Sequence, residues 1–208
     1  MPSAARPSRF TDRYPSRTNH PVPVTPVRYT ATAITLHWLT AVLIVGSVCV
    51  GFYMVGLTLS PQKLKLYSWH KWSGITIFLL AAARLIWRAR HPAPPLPAES
   101  PAWQRFAAAI NHWLLYVLLI CIPISGWVMS SAFGVKVVYF GVIPLPDLVE
   151  KNKELAELLK GVHETLVFTM LALVAVHVAA AVKHHFVDRD EVLHRMLPLV
   201  KPRQGGRK

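Results

Sequence analysis

Four stretches of the chain, 30–55, 66–87, 106–129 and 162–182, are predominantly apolar for about twenty residues or more. A hydrocarbon core of about 30 Å requires about 20 such residues in helical form. The pattern therefore predicts four spanning helices, and with them an all-α fold: an integral membrane four-helix bundle. Tryptophan and tyrosine mark the segment ends, with Trp38, Tyr53, Trp69, Trp72, Trp87, Trp103, Trp113 and Trp127 among them, as expected of rings that settle at headgroup level.

The polar intervals complete the plan. Residues 1–28 are rich in Pro, Ser, Thr and Arg without an apolar core. They read as a disordered basic arm rather than a cleaved secretory signal, and their prolines argue against an amphipathic transit helix. A proline-rich stretch, 91–101, is a stiff extended connector between the second and third helices. In the interval from 130 to 161, "LPDLVEKNKELAELLKGV" carries leucines near helical spacing among charges, which predicts a short helix lying at the membrane surface. The bundle thus occupies 29–198 as one domain, followed by a basic tail, 199–208.

A chain that is 53% hydrophobic, with mean hydropathy +0.35, fits no ordinary soluble domain. Its net charge of +13 resolves into topology once the cations are placed. Fifteen of the 23 Lys and Arg residues fall in the N-terminal arm, the connector after the second helix and the tail. Lys63, Lys65, Lys71, Lys136, Lys151, Lys153 and Lys160 fall on the other side, diluted there by Asp147, Glu150, Glu154 and Glu157. Positive charge accumulates on the cytoplasmic face, so both termini are expected to be cytoplasmic, in contact with anionic lipid. No stretch resembles a nucleic-acid-binding module. Cys49 and Cys121 lie mid-span in separate helices, and no C-x-x-C-H occurs, so neither a disulfide framework nor covalent haem attachment is indicated.

Ten histidines remain to be placed. His20, His91, His184, His185 and His194 fall at or beyond the membrane edges, where solvated or headgroup roles are the expectation. His37, His70, His112, His163 and His177 fall inside the spans, where an ionisable side chain is costly and needs a partner. His163 and His177 are fourteen residues apart, so they share one face of one helix at levels ~21 Å apart. By distance from the flanking cations, His70 shares the outer level with His163, and His37 shares the inner level with His177. A neutral imidazole gives one nitrogen to a metal and hydrogen-bonds through the other. Two such rings on facing helices can clamp one haem iron axially, so four histidines at two levels point to two haems. Depth alone leaves His112 a rival at the inner level. Arg84 follows His70 by the same fourteen residues, which aims it at the inner level too; it reads either as a partner for an anion there or as a cation reaching out to the headgroups.

The motifs together resemble the bacterial cytochrome b561 family. The likeness is carried by "ITLHW" (His37), "WHKWSGITIFLLAAARLIWR" (His70, Gly74, Arg84), "NHWLLYVLLICIPISGW" (Pro123, Gly126), "HETL" (His163) and "VHVAAAVKHHF" with "LHRMLP" (His177 onward). It covers the chain from about Arg28 to Pro198. The resemblance implies two non-covalent b haems per chain: one held by His70 and His163 toward the periplasm, one by His37 and His177 toward the cytoplasm, in the bacterial inner membrane. It leaves His112 as a non-ligand that donates to a haem propionate or packs at the haem edge, and it gives Arg84 a propionate or quinone oxygen as partner.

Function follows from ligand count. With both axial positions filled, neither iron has a site open to bind oxygen or a substrate, so the haems pass single electrons across the bilayer. The family resemblance implies ubiquinone as one redox partner and superoxide as a donor, with Lys71 beside His70 placed to attract the anion; a redox protein is the other expected kind of donor. Two readings compete. One is a cytochrome subunit passing electrons between a separate dehydrogenase or hydrogenase and the quinone pool. The other is a metal or proton transporter using the same histidines. The small-residue runs "AAAR" and "HVAAAV" are compatible with a homodimer or with helix and cofactor packing alone.

Overall fold

The computed structural model describes residues 28–96 and 100–198. Its four long helices are α1 (Ala31–Val55), α2 (Pro61–Arg90), α3 (Ala102–Ala132) and α4 (Lys153–Lys183), with a short antiparallel hairpin of β1 (Val138–Tyr139) and β2 (Ile143–Pro144) between α3 and α4. Each of the four is long and apolar enough to cross a membrane. Together they form a membrane helical bundle. The arm up to residue 27, residues 97–99 of the proline-rich connector and the tail 199–208 lie outside the described residues.

Local signals set the helix starts. Thr30, Ser60 and Asn152 each occupy an N-cap, their side-chain oxygens accepting from the backbone N–H of Ala33, Lys63 and Leu155. Each cap satisfies one of the donors a helix leaves without an internal partner. Pro61 follows Ser60 at the first helical position, where its missing N–H costs nothing.

Three of the helices, α2, α3 and α4, are longer than the apolar stretches that announce them. α2 begins at Pro61 rather than 66, and α4 begins at Lys153 rather than 162. The charged stretch expected to form a separate surface helix instead supplies the first turns of α4, with no break at Gly161. Hydropathy marks where a helix meets lipid; the backbone continues until a cap stops it. The hairpin was not anticipated.

α1 packs on α2 and α3 on α4, while α2 touches α3. Among the described residues, neither α1 nor α2 brings its backbone close to α4. The bundle is thus two helical hairpins that meet along one seam. Ile77, Ala81, Leu118, Leu119 and Met170 form a buried cluster at that seam, flanked by Leu43, Ile44, Leu115, Leu166 and Leu173. At the end carrying the chain termini, Trp38 Nε1 donates to Met196 O at 2.8 Å, Arg28 Nη2 to Leu197 O at 2.6 Å and Arg195 Nη1 to Pro95 O at 2.6 Å. The segment after α4 is thereby tied back to α1 and to the connector.

Candidate functional site

The gaps between the helical hairpins are bridged by histidines. Toward the β-hairpin end, His70 on α2 faces His163 on α4 with ring centroids 6.3 Å apart. Toward the terminal end, His37 on α1 faces His177 on α4 at 6.2 Å. A metal–imidazole nitrogen bond of about 2 Å, plus about 1.1 Å from that nitrogen to its ring centroid, puts two trans ligands of one ion about 6.2 Å apart. Both observed separations match it. His112 on α3 also reaches the terminal level, but its ring lies 5.3 Å from that of His177, closer than two ligands on opposite sides of one ion.

At the hairpin level the second ring nitrogens are already engaged. Ser125 Oγ lies 2.9 Å from His163 Nδ1 and donates to Ile122 O at 2.8 Å, so it accepts from the imidazole N–H. His70 Nδ1 lies 3.1 Å from Ser47 O and 3.2 Å from Ser47 Oγ; Ser73 holds that hydroxyl from 2.9 Å. With Nδ1 protonated and bound, the lone pair of Nε2 is free on both rings. Sequence reasoning missed these serines. Ser73 lies one turn from His70 on α2, yet a serine in an apolar span also bonds its own backbone, as Ser73 does to His70 O at 2.9 Å.

Two glycines make room for the rings. A Cβ at Gly126 would stand 3.1 Å from His163 Cε1, and one at Gly51 would stand 3.3 Å from His70 Cε1. Gly74, one turn beyond His70 on the same face of α2, has nothing within 4 Å of where its Cβ would lie. The imidazoles are therefore packed tightly from behind, and the wall beside His70 is left open, as a flat cofactor between the helices requires.

Arg84 reaches the terminal level, as its spacing from His70 implies. Its Nη2 lies 3.3 Å from His37 Nδ1, and its guanidinium and that of Arg88 lie 5.4 Å and 5.8 Å from the centroid of the Tyr116 ring. This cationic cluster has no carboxylate within ion-pair distance of Arg84 or Arg88 among the described residues. It is suited to an anion at the terminal level. Tyr29, near Arg88 and Arg195, has its pKa raised by burial, so its phenol is a neutral donor. Lys71 follows His70 on α2 and is half-buried.

Of the histidines expected at the edges, His184 departs from expectation. Its side chain is only 12% exposed, and its Nδ1 lies 2.6 Å from Asp190 Oδ2, while Lys183 pairs with Asp188. These contacts lock the π-helical turn His184–Asp188 that ends α4. His91 stacks on Trp87 at 4.1 Å.

Spanning helices that bring histidines together in facing pairs are suited to holding b haems in a membrane, as the class of b-type membrane cytochromes does. A profile of the prokaryotic cytochrome b561 family matches residues 28–199. The chain is 35% identical to cytochrome b561 homolog 2 of Escherichia coli (strain K12) over 175 residues, covering 83% of this chain and 93% of that protein. It is 31% identical to cytochrome b561 homolog 1 of the same organism, over 82% and 97% of the two chains. It is 30% identical to the probable superoxide oxidase CybB of Yersinia pestis, over 82% and 96%. The chain belongs to the prokaryotic cytochrome b561 family. It is a bacterial membrane cytochrome of the b type that serves electron transfer.

Proposed function

We propose that this cytochrome holds two b haems, one between His70 and His163 and one between His37 and His177, and carries electrons from superoxide at the periplasmic face to ubiquinone. Both termini are cytoplasmic in this reading, which follows the distribution of Lys and Arg, and the membrane is the bacterial inner membrane. The observation that carries it is the pair of ring separations, 6.3 Å and 6.2 Å, at two levels of one bundle.

A b haem held by His70 and His163, or by His37 and His177, would supply a one-electron couple and no open site for substrate. The protein's own groups do the rest. Ser47 and Ser125 fix the Nδ1–H tautomers of His70 and His163, and Gly51 and Gly126 let those rings sit close to the backbone. Arg84, Arg88 and Tyr116 offer positive charge and a ring to an anionic or carbonyl group at the cytoplasmic level, where His112 packs beside His177 as a non-ligand. Lys71, next to His70, raises the local concentration of an anionic donor. Superoxide as that donor is supported by the relative named as a probable superoxide oxidase.

The test is anaerobic stopped-flow of the purified holoprotein, mixing the oxidised form with superoxide and the reduced form with ubiquinone while following the haem bands. Rapid reduction by superoxide followed by reoxidation by quinone is the expected result. Inertness toward superoxide, with rapid reduction by a quinol or a redox protein, overturns the donor assignment.

A further inference from the structure

The hairpin between α3 and α4 has a tip unsuited to water. Its turn places Phe140 at φ 50° and Gly141 at φ 74°, with Val142 N donating to Tyr139 O at 3.1 Å. Tyr139 pairs with Ile143, so Phe140–Val142 form a three-residue loop, and positive φ at both central residues of its β-turn is the type I′ geometry that favours Asn-Gly or Gly-Gly. A bulky phenylalanine there is strained, because its Cβ crowds the backbone at positive φ. The strained side chain is nonetheless largely uncovered: Phe140 is 59% exposed, Val142 78% and Ile143 54%. In water the turn would combine backbone strain with apolar surface that the Trp72 and Tyr139 rings beside Phe140 cover only in part.

The hairpin's anchorage fixes its depth. Tyr139 OH lies 2.9 Å from Thr76 Oγ1 on α2, and Trp72 Nε1 donates to Val138 O at 2.7 Å, its ring packing on Phe140. Thr76 follows Lys71 by five residues, which puts it ~7 Å deeper along α2 than that cation. The Tyr139 hydroxyl is therefore below the charged boundary of the helix, and the tip lies against the boundary itself. The backbone is prepared for such a place, since polar main-chain groups in lipid must be satisfied internally. Gly141 N bonds Val138 O, Leu145 N bonds Val137 O, and Pro144 contributes no donor. From Phe133 to Leu145 the one charged residue is Lys136.

We propose that the hairpin tip, residues 138–143, is seated in the membrane, its partner being the acyl chains and glycerol region of the leaflet at that end of the bundle. Its apolar surface continues the lipid-facing surface of α2, and Trp72, Tyr139 and Phe140 form the aromatic set expected at an interface. The tip thus tethers the connector before α4 to the bilayer on the same side as the His70–His163 pair.

The test uses the full chain in lipid nanodiscs, with Cys49 and Cys121 replaced by Ala. A nitroxide is attached at Val142→Cys and, in a second variant, at Phe140→Cys. Collision accessibility is compared for molecular oxygen, which concentrates in lipid, and a water-soluble nickel chelate. Labels at Leu79→Cys, on the exposed apolar flank of α2, and Glu157→Cys, on the charged first turns of α4, supply the two references. The oxygen-to-nickel ratio at 140 and 142 is expected to lie well above that at 157, between it and the deeper reference at 79. A ratio matching 157 places the tip in water and overturns the proposal. A label shielded from both reagents means that a second copy or another protein covers the tip, which overturns it equally.

Discussion

Ser125 Oγ sits 2.9 Å from His163 Nδ1 and donates its own proton to Ile122 O at 2.8 Å, so the hydroxyl can only accept from the imidazole. An acceptor on the second nitrogen raises the basicity of the first. A more basic axial ligand stabilises ferric over ferrous iron and lowers the potential. At the terminal level His37 instead faces the Arg84 guanidinium at 3.3 Å, and a nearby positive charge favours the reduced state. Hydrogen bonding and net charge are the levers by which a protein sets such potentials. With haems held at both levels as proposed, these contacts would bias the two potentials in opposite senses, in the direction that favours transfer from the His70–His163 level to the His37–His177 level.

Ser125→Ala removes the acceptor while leaving the ring in place. The midpoint potential of the haem at His163 should rise, and outer-shell losses of this kind typically weaken the hold on the metal about 10–100-fold. Potentiometric titration with haem quantitation measures both. An unchanged potential would mean that the Ser125 contact carries no electronic weight.

Ligand assignment is tested by removal. His70→Ala or His163→Ala should abolish one haem and leave the other largely intact; His37→Ala or His177→Ala should do the converse. His112→Ala should keep both, because its ring stands 5.3 Å from His177 where an ion-bridged pair needs about 6.2 Å. A pyridine-haemochrome count on each variant decides it. Loss of a haem in His112→Ala with retention in His37→Ala would reverse the choice at that level.

Gly126→Ala and Gly161→Ala form a matched pair. The first puts a methyl 3.1 Å from His163 Cε1, so the ring must shift, and haem occupancy at that level should fall. The second has nothing within 4 Å of its Cβ, so occupancy should hold and helicity should gain up to about 1 kcal/mol. Equal occupancy in the two variants would show that the close approach at Gly126 is unimportant.

How far the sequence carried these features depends on the range of the interaction involved. Hydropathy located all four spans, since lipid exposure is a local property summed over a window. Histidine spacing and depth paired His70 with His163 and His37 with His177, because a straight helix converts residue number into position. That rule could not separate His37 from His112, which share a level; a ring separation across the bundle is needed. The start of α4 at Lys153 was hidden because charge was read as a boundary, although only the cap at Asn152 sets it. Ser47 and Ser125 were invisible for a different reason: their role exists only once the helices around them are packed.

The final prediction concerns Lys71, half-buried on α2 beside His70. If oxidation of superoxide is limited by its encounter with this face and attraction by Lys71 speeds that encounter, salt must slow it, because the Debye length falls from about 30 Å at 0.01 M to about 8 Å at 0.15 M. The rate of haem reduction by superoxide should decline across that range. Lys71→Glu reverses a charge close to His70 and should slow reduction further at low salt, with both haems retained because the imidazole itself is untouched. As salt rises, the two proteins should converge in rate, since the screened charge no longer steers either encounter. Stopped-flow traces at matched haem occupancy measure this. A salt-independent rate, with full activity in Lys71→Glu, would leave no role for steering at this position and favour a neutral quinol or a protein as the donor.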